Sequence, residues 1–145
     1  MHTALSSFRA QAIFRMEEKL EHLGKSFQYL GEEDMWWRPN EQSNSVANLI
    51  IHLSGNISQY ILSSLDQQPD TRDRDSEFAA RGGWSKTELI DLITETIEQA
   101  NQVIQTCPDE ELLRQRSVQG LSLMALELSC MWSSIYPTIQ AKSPT

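Results

Sequence analysis

Apolar residues return every three or four positions over three stretches of this chain, and that period predicts helices rather than strands. The first stretch runs from about Ser7 to Leu30, with Ile13, Met16, Leu20, Leu23, Phe27 and Leu30 on one stripe and Gly31 as its stop. The second opens at the polar cluster Ser43-Asn44-Ser45, whose side chains suit an N-cap, and carries Val46, Ile50, Leu53, Ile57, Ile61 and Leu65. The third begins on a capping box, Ser85 with Glu88, followed by Leu89, Ile93, Ile97, Ala100 and Ile104. The expected helices cover 7–30, 44–65 and 85–106, and no sheet is expected.

Between these stretches the periodicity fails. Pro39 forbids an ordinary helix just after the tryptophan pair Trp36-Trp37. The connection DQQPDTRDRDSEFAARGGW is longer than a bundle turn needs, and long aperiodic loops are often functional. From Leu121 to Cys130 the chain is apolar enough for a buried fourth helix, but Pro137 interrupts its continuation, and the tail IQAKSPT reads as disordered. The pattern predicts an all-α fold: one up-down four-helix-bundle domain over 1–145 whose last helix is truncated or disrupted.

Composition narrows the function. The chain has 145 residues, long enough to bury a helical core. A net charge of −8 with no basic stripe excludes the electrostatic footprint of a nucleic-acid binder. No run approaches the roughly 18 apolar residues of a membrane span, and the start MHTALSSFRAQ lacks the apolar core of a signal peptide. The expected compartment is the cytoplasm. Cys107 and Cys130 make neither a disulfide framework nor a zinc motif, and read as buried or incidental thiols.

Candidate chemistry is sparse. There is no phosphate-cradling glycine loop, no HExxH and no ExxH pair. Of three histidines, His2 falls in the terminal arm and His22 off the apolar stripe, both in solvated positions. His52 shares a polar row with Asn48 and Asn56, spaced i, i+4, i+8, beside the apolar face of the second helix. Spacing alone makes it a boundary histidine, since zinc normally needs three or four protein ligands. By composition the run RDRDSEF is a solvated loop, and the tryptophan pair is a core lid.

Three elements in fixed order carry more information: WWRPN (Trp36 to Asn40), SNSVANLIIHLSGN (Ser43 to Asn56) and RDRDSEF (Arg72 to Phe78). Together they resemble a subfamily of the DinB-like superfamily with the pattern WWRPN…NSIAxLxxHLxGN…RDRxEF, and the resemblance extends from about Phe14 to Gly120. It implies a four-helix bundle holding one divalent metal, zinc or nickel, on three histidines. His52 matches the ligand of the second helix. The other two belong to an HxxxH on the last helix. Related proteins act as metal-dependent hydrolases or low-molecular-weight-thiol transferases, so a small-molecule substrate or thiol is the implied partner.

After Cys130 this chain departs from that pattern: MWSSIYPTIQAKSPT contains no histidine. The expected explanation is a shifted reading frame, with a genuinely divergent tail as the alternative. A synonymous back-translation of Cys130 to Pro144, read one nucleotide earlier, yields HVVEHLSYHTGQIT. The written residues fix most of each shifted codon. Its HxxxH histidines fall at the junctions Ser134/Ile135 and Thr138/Ile139, so neither exists in the protein as written. The expectation is a metal enzyme impaired by loss of two ligands, with His52 remaining and the metal not retained. The alternative is a metal-free helical binding or dimerisation module, for which a homodimer is one form.

Overall fold

A computed structural model of the chain describes residues 2–118 and 121–124. The three periodic stretches become its three long helices: α1 (His2–Phe27), α2 (Val46–Ile57) and, later in the chain, α4 (Lys86–Thr106). Between the last two lies the short α3 (Arg74–Ala79), and after α4 comes α5 (Asp109–Leu113). Helix α4 packs against both α1 and α2, so its Leu89, Ile93, Ile97 and Ala100, all fully buried, form the middle of the core. The α2 row from Val46 through Leu65 is buried as its spacing predicts. On α1, Met16, Leu23 and Phe27 are buried, whereas Ile13 and Leu20 pack at the edge. Among the described residues no helix is long and apolar enough to cross a membrane.

The capping chemistry works as the sequence implies. Ser85 and Glu88 exchange side-chain and backbone bonds at the start of α4, and Ser45 does the same with Asn48 at the start of α2. The far end of α4 is tied to α1 by Arg9. Its guanidinium donates to the Ile104 carbonyl and pairs with Asp109 at 2.7 Å, which satisfies an end of the helix where carbonyls lack partners.

Four expectations need correction. Helix α1 begins at His2 rather than near Ser7, because nothing in HTALSS breaks a helix and Leu5 adds a buried contact. The long polar connection is not wholly a loop: Asp73 caps α3 by accepting from the Ser76 amide, and Asp75 and Glu77 lie in its first turn. Helix α2 does not run on as an α-helix to Leu65, since Ser58–Ser63 winds as a π-helix. Finally, there is a sheet. Strands β1 (Gln115–Val118) and β2 (Leu121–Met124) pair antiparallel with Val118 opposite Leu121, so the proposed fourth helix cannot begin at Leu121. Leu121-Ser122-Leu123 alternates at period two, and so short an apolar run fits strand as well as helix. Cys130, the effect of Pro137 and the tail lie outside the described residues.

Candidate functional site

Helix α2 turns its polar row toward α3, and the two helices meet through hydrogen bonds and a ring contact. Asn48 is completely buried. Its Oδ1 accepts from the Ser45 amide at 3.1 Å and the Ser45 hydroxyl at 2.8 Å. Its Nδ2 donates to the carbonyls of Glu77 and Ala80, both at 2.9 Å. One amide thus caps α2 and fastens the backbone of α3.

One turn further, His52 meets a buried ion pair. Arg72 and Glu77 have side-chain exposures of 5% and 7%, and they bond in a two-pronged fork, Nε to Oε2 and Nη2 to Oε1, each at 3.0 Å. The His52 Nδ1 lies 3.1 Å from Glu77 Oε1 and 3.1 Å from Arg72 Nη2. Its ring packs against Phe78 at 4.7 Å between centroids. Burial holds the imidazole below its ordinary value; the Glu77 bond opposes this, while the charges of Arg72 and Arg74 reinforce it. The second Arg72 prong, Nη1, donates to Asn56 Oδ1 at 3.1 Å and to Gln59 Oε1 at 2.9 Å. Gln59 sits in the π-helical segment, and its own Nε2 donates to Asp70 at 2.9 Å.

Gly55 lets the two helices come this close. A Cβ there would overlap the Glu77 carboxylate and lie 3.2 Å from Arg72 Nε. The motifs HLSGN and RDRDSEF are therefore two halves of one joint: His52, Gly55 and Asn56 on one side, Arg72, Glu77 and Phe78 on the other.

His52, part-exposed at 14% of its side chain, lies on one row with the buried Asn48 and Asn56 and meets Arg72 and Glu77 at this joint. His22 is exposed, and its carbonyl accepts from Ser26. Trp36 packs on the core and donates to the Trp84 carbonyl at 3.0 Å, but Trp37 is exposed, so only half the tryptophan pair is a lid. Cys107 is a free, half-buried thiol 3.4 Å from the Arg9 guanidinium. By composition RDRDSEF reads as solvated, which hides Arg72 and Glu77. The signal that finds them is the Asp73 cap with acidic residues behind it, which marks a helix start.

Tested against a metal, the described residues supply one histidine and not a site. Among them no three His, Cys, Asp or Glu side chains gather into a group that holds an ion. Glu77 is already engaged by Arg72. A family described as "Protein of unknown function (DUF1572)" matches residues 4–126. No curated protein matches the chain.

Proposed function

The chain belongs to the DUF1572 family, and we propose that it derives from a DinB-like four-helix metal enzyme, a hydrolase or low-molecular-weight-thiol transferase. Its site is reduced here to His52, because the written C-terminal sequence lacks the other two histidines. The supporting observation is how His52 is held. A buried Arg72–Glu77 pair fixes the ring through Nδ1, which reserves Nε2 for chemistry. A carboxylate placed to accept the Nδ1 hydrogen, leaving Nε2 bare for a ligand, is the usual support of a metal-binding histidine, and Glu77 Oε1 lies within reach to play that part.

The test compares the chain as written with a version whose tail is restored to HVVEHLSYHTGQIT, and with the restored version carrying His52→Ala. Melting curves are recorded with zinc, with nickel and with chelator. The written chain should show no metal-dependent shift, since one imidazole is too few ligands. The restored chain should be stabilised by about 2.7 kcal/mol when free metal is a hundredfold above Kd. His52→Ala should abolish that gain. Equal metal responses in written and restored chains would sink the shifted-frame account.

A second reading, a metal-free binding or dimerisation module, draws on a different feature. A cavity of about 520 Å³ lies beside the WWRPN turn, lined by Leu30, Trp37, Pro39, Asn44 and Val46, with the Trp37 indole 66% exposed. Light scattering over a dilution series tests it. A mass that stays monomeric for the parent and for Trp37→Ala alike would remove dimerisation.

A further inference from the structure

The buried guanidinium of Arg72 sets a strict accounting. It carries five N–H hydrogens and no acceptor, and at 5% exposure each unmatched hydrogen is costly. Four are matched without ambiguity: Nε to Glu77 Oε2, Nη2 to Glu77 Oε1, and the two on Nη1 to Asn56 Oδ1 and Gln59 Oε1. One hydrogen of Nη2 remains. The acceptor within its reach is His52 Nδ1, at 3.1 Å.

That nitrogen has two suitors with opposite demands. Glu77 Oε1, also at 3.1 Å, accepts only, and would take a hydrogen carried by Nδ1. Arg72 Nη2 donates only, and needs Nδ1 bare. With the hydrogen on Nδ1, two N–H groups confront each other and the guanidinium is left one acceptor short. Glu77 gains little, because both its oxygens already receive Arg72. With the hydrogen on Nε2, all five guanidinium hydrogens have acceptors, and the cation lies beside both the carboxylate oxygen and the Nδ1 lone pair.

We infer that Arg72 is a positioning residue that sets His52 in its Nε2–H form, so that the ring nitrogen left over is a hydrogen-bond donor. It suits an acceptor oxygen, such as the carbonyl or carboxylate of a small molecule. A cation at Nε2 would require the hydrogen to move to Nδ1 and Arg72 to give up a bond. This goes beyond the metal reading, because it is a property of the metal-free chain and does not depend on the tail.

The experiment is a long-range proton–nitrogen correlation spectrum of the uniformly ¹⁵N-labelled written chain, in chelator, at a pH above 7. His52 is identified by the signals lost in His52→Gln. Nδ1 should resonate far downfield, as a bare ring nitrogen does, and Nε2 upfield, as one bearing hydrogen does. Arg72→Lys keeps the charge beside Glu77 but loses the fork, and should exchange the two positions. Glu77→Gln should leave them as in the parent. A parent spectrum with hydrogen on Nδ1, on both nitrogens, or evenly shared would overturn the inference. Parental signals in Arg72→Lys would remove Arg72 as the residue responsible. Should either variant fail to fold, the parent spectrum still decides the tautomer. Melting curves with metal do not enter, so the proposed function and this inference can fail separately.

Discussion

The seam between α1 and α4 and the joint between α2 and α3 are both shielded from water, yet they are built from opposite materials. At the seam, Met16, Leu23 and Phe27 belong to the same apolar cluster as Ile93, Ile97 and Ala100. Attraction there is non-directional and scales with the area removed from water. At the joint, Asn48, His52 and Asn56 meet Arg72 and Glu77 beside a glycine through directional hydrogen bonds between named atoms. The seam asks only for volume. The joint asks for specific atoms, and a single missing partner exposes a buried charge or dipole. A fold this small needs the first kind of contact for stability, but the second kind is what fixes one ring in one orientation.

The sharpest way to break this contrast is to remove one member of the ion pair. Glu77→Ala leaves the Arg72 guanidinium buried and uncompensated, and should cost about 3–5 kcal/mol by urea denaturation. The double replacement Arg72→Met with Glu77→Met should recover much of that loss, because an apolar pair of similar volume needs no partner atoms. If the double variant is no more stable than Glu77→Ala, the joint is not governed by charge compensation.

At the seam the expectation reverses. Ile97→Ala should cost about 2–5 kcal/mol through lost burial and a cavity, while Ile97→Leu should cost less than about 1.5 kcal/mol, since volume is kept. Urea midpoints at unchanged slope check both. A large penalty for Ile97→Leu would show that the seam, too, demands a particular shape.

Gly55→Ala adds a single methyl group to the joint, and that group would overlap the Glu77 carboxylate. The carboxylate is held by Arg72 and cannot swing aside without losing the fork, so a cost of about 1–3 kcal/mol is expected, as for overpacked cores. The same change at Gly24, where a Cβ would meet nothing within 4 Å, should be neutral or stabilising in a helix. Equal effects at the two glycines would mean that close approach is not why position 55 lacks a side chain.

What was legible in the sequence divides along the same line. The seam residues announce themselves, because burial on one face of a helix leaves a period that local spacing records. Ser45 and Ser85 were equally plain, since a cap bonds within three residues of itself. His52 stood out only through its row with Asn48 and Asn56. Its partners lie 20 and 25 residues away, beyond the reach of any periodicity. RDRDSEF looked solvated for a physical reason: charges are normally hydrated, and a buried fork between Arg72 and Glu77 carries no compositional mark. The π-turn that brings Gln59 onto Arg72 was invisible for the same reason. The hairpin is hidden because a segment as short as Leu121–Met124, apolar but for Ser122, fits either period.

The smallest expected effect lies at His52 itself and concerns pH. Its folded value is below the ordinary 6.5, first because burial disfavours the imidazolium and also because the charges of Arg72 and Arg74 repel it, while the hydrogen bond and the charge of Glu77 act the other way. A histidine that binds its proton less readily folded than unfolded favours the unfolded chain once protons become available. The contribution is therefore absent well above pH 6.5. It destabilises as pH falls from about 6.5 through the lower folded value, and levels off below it. The measurement is the difference in unfolding free energy between the parent and His52→Gln across that window, in which His2, His22 and the carboxylates common to both chains largely cancel. The parent should lose stability relative to the variant on acidification. A parent that instead gains relative stability as pH falls would mean that Glu77 outweighs burial and the two arginines, and that the joint is arranged to receive a proton rather than to exclude one.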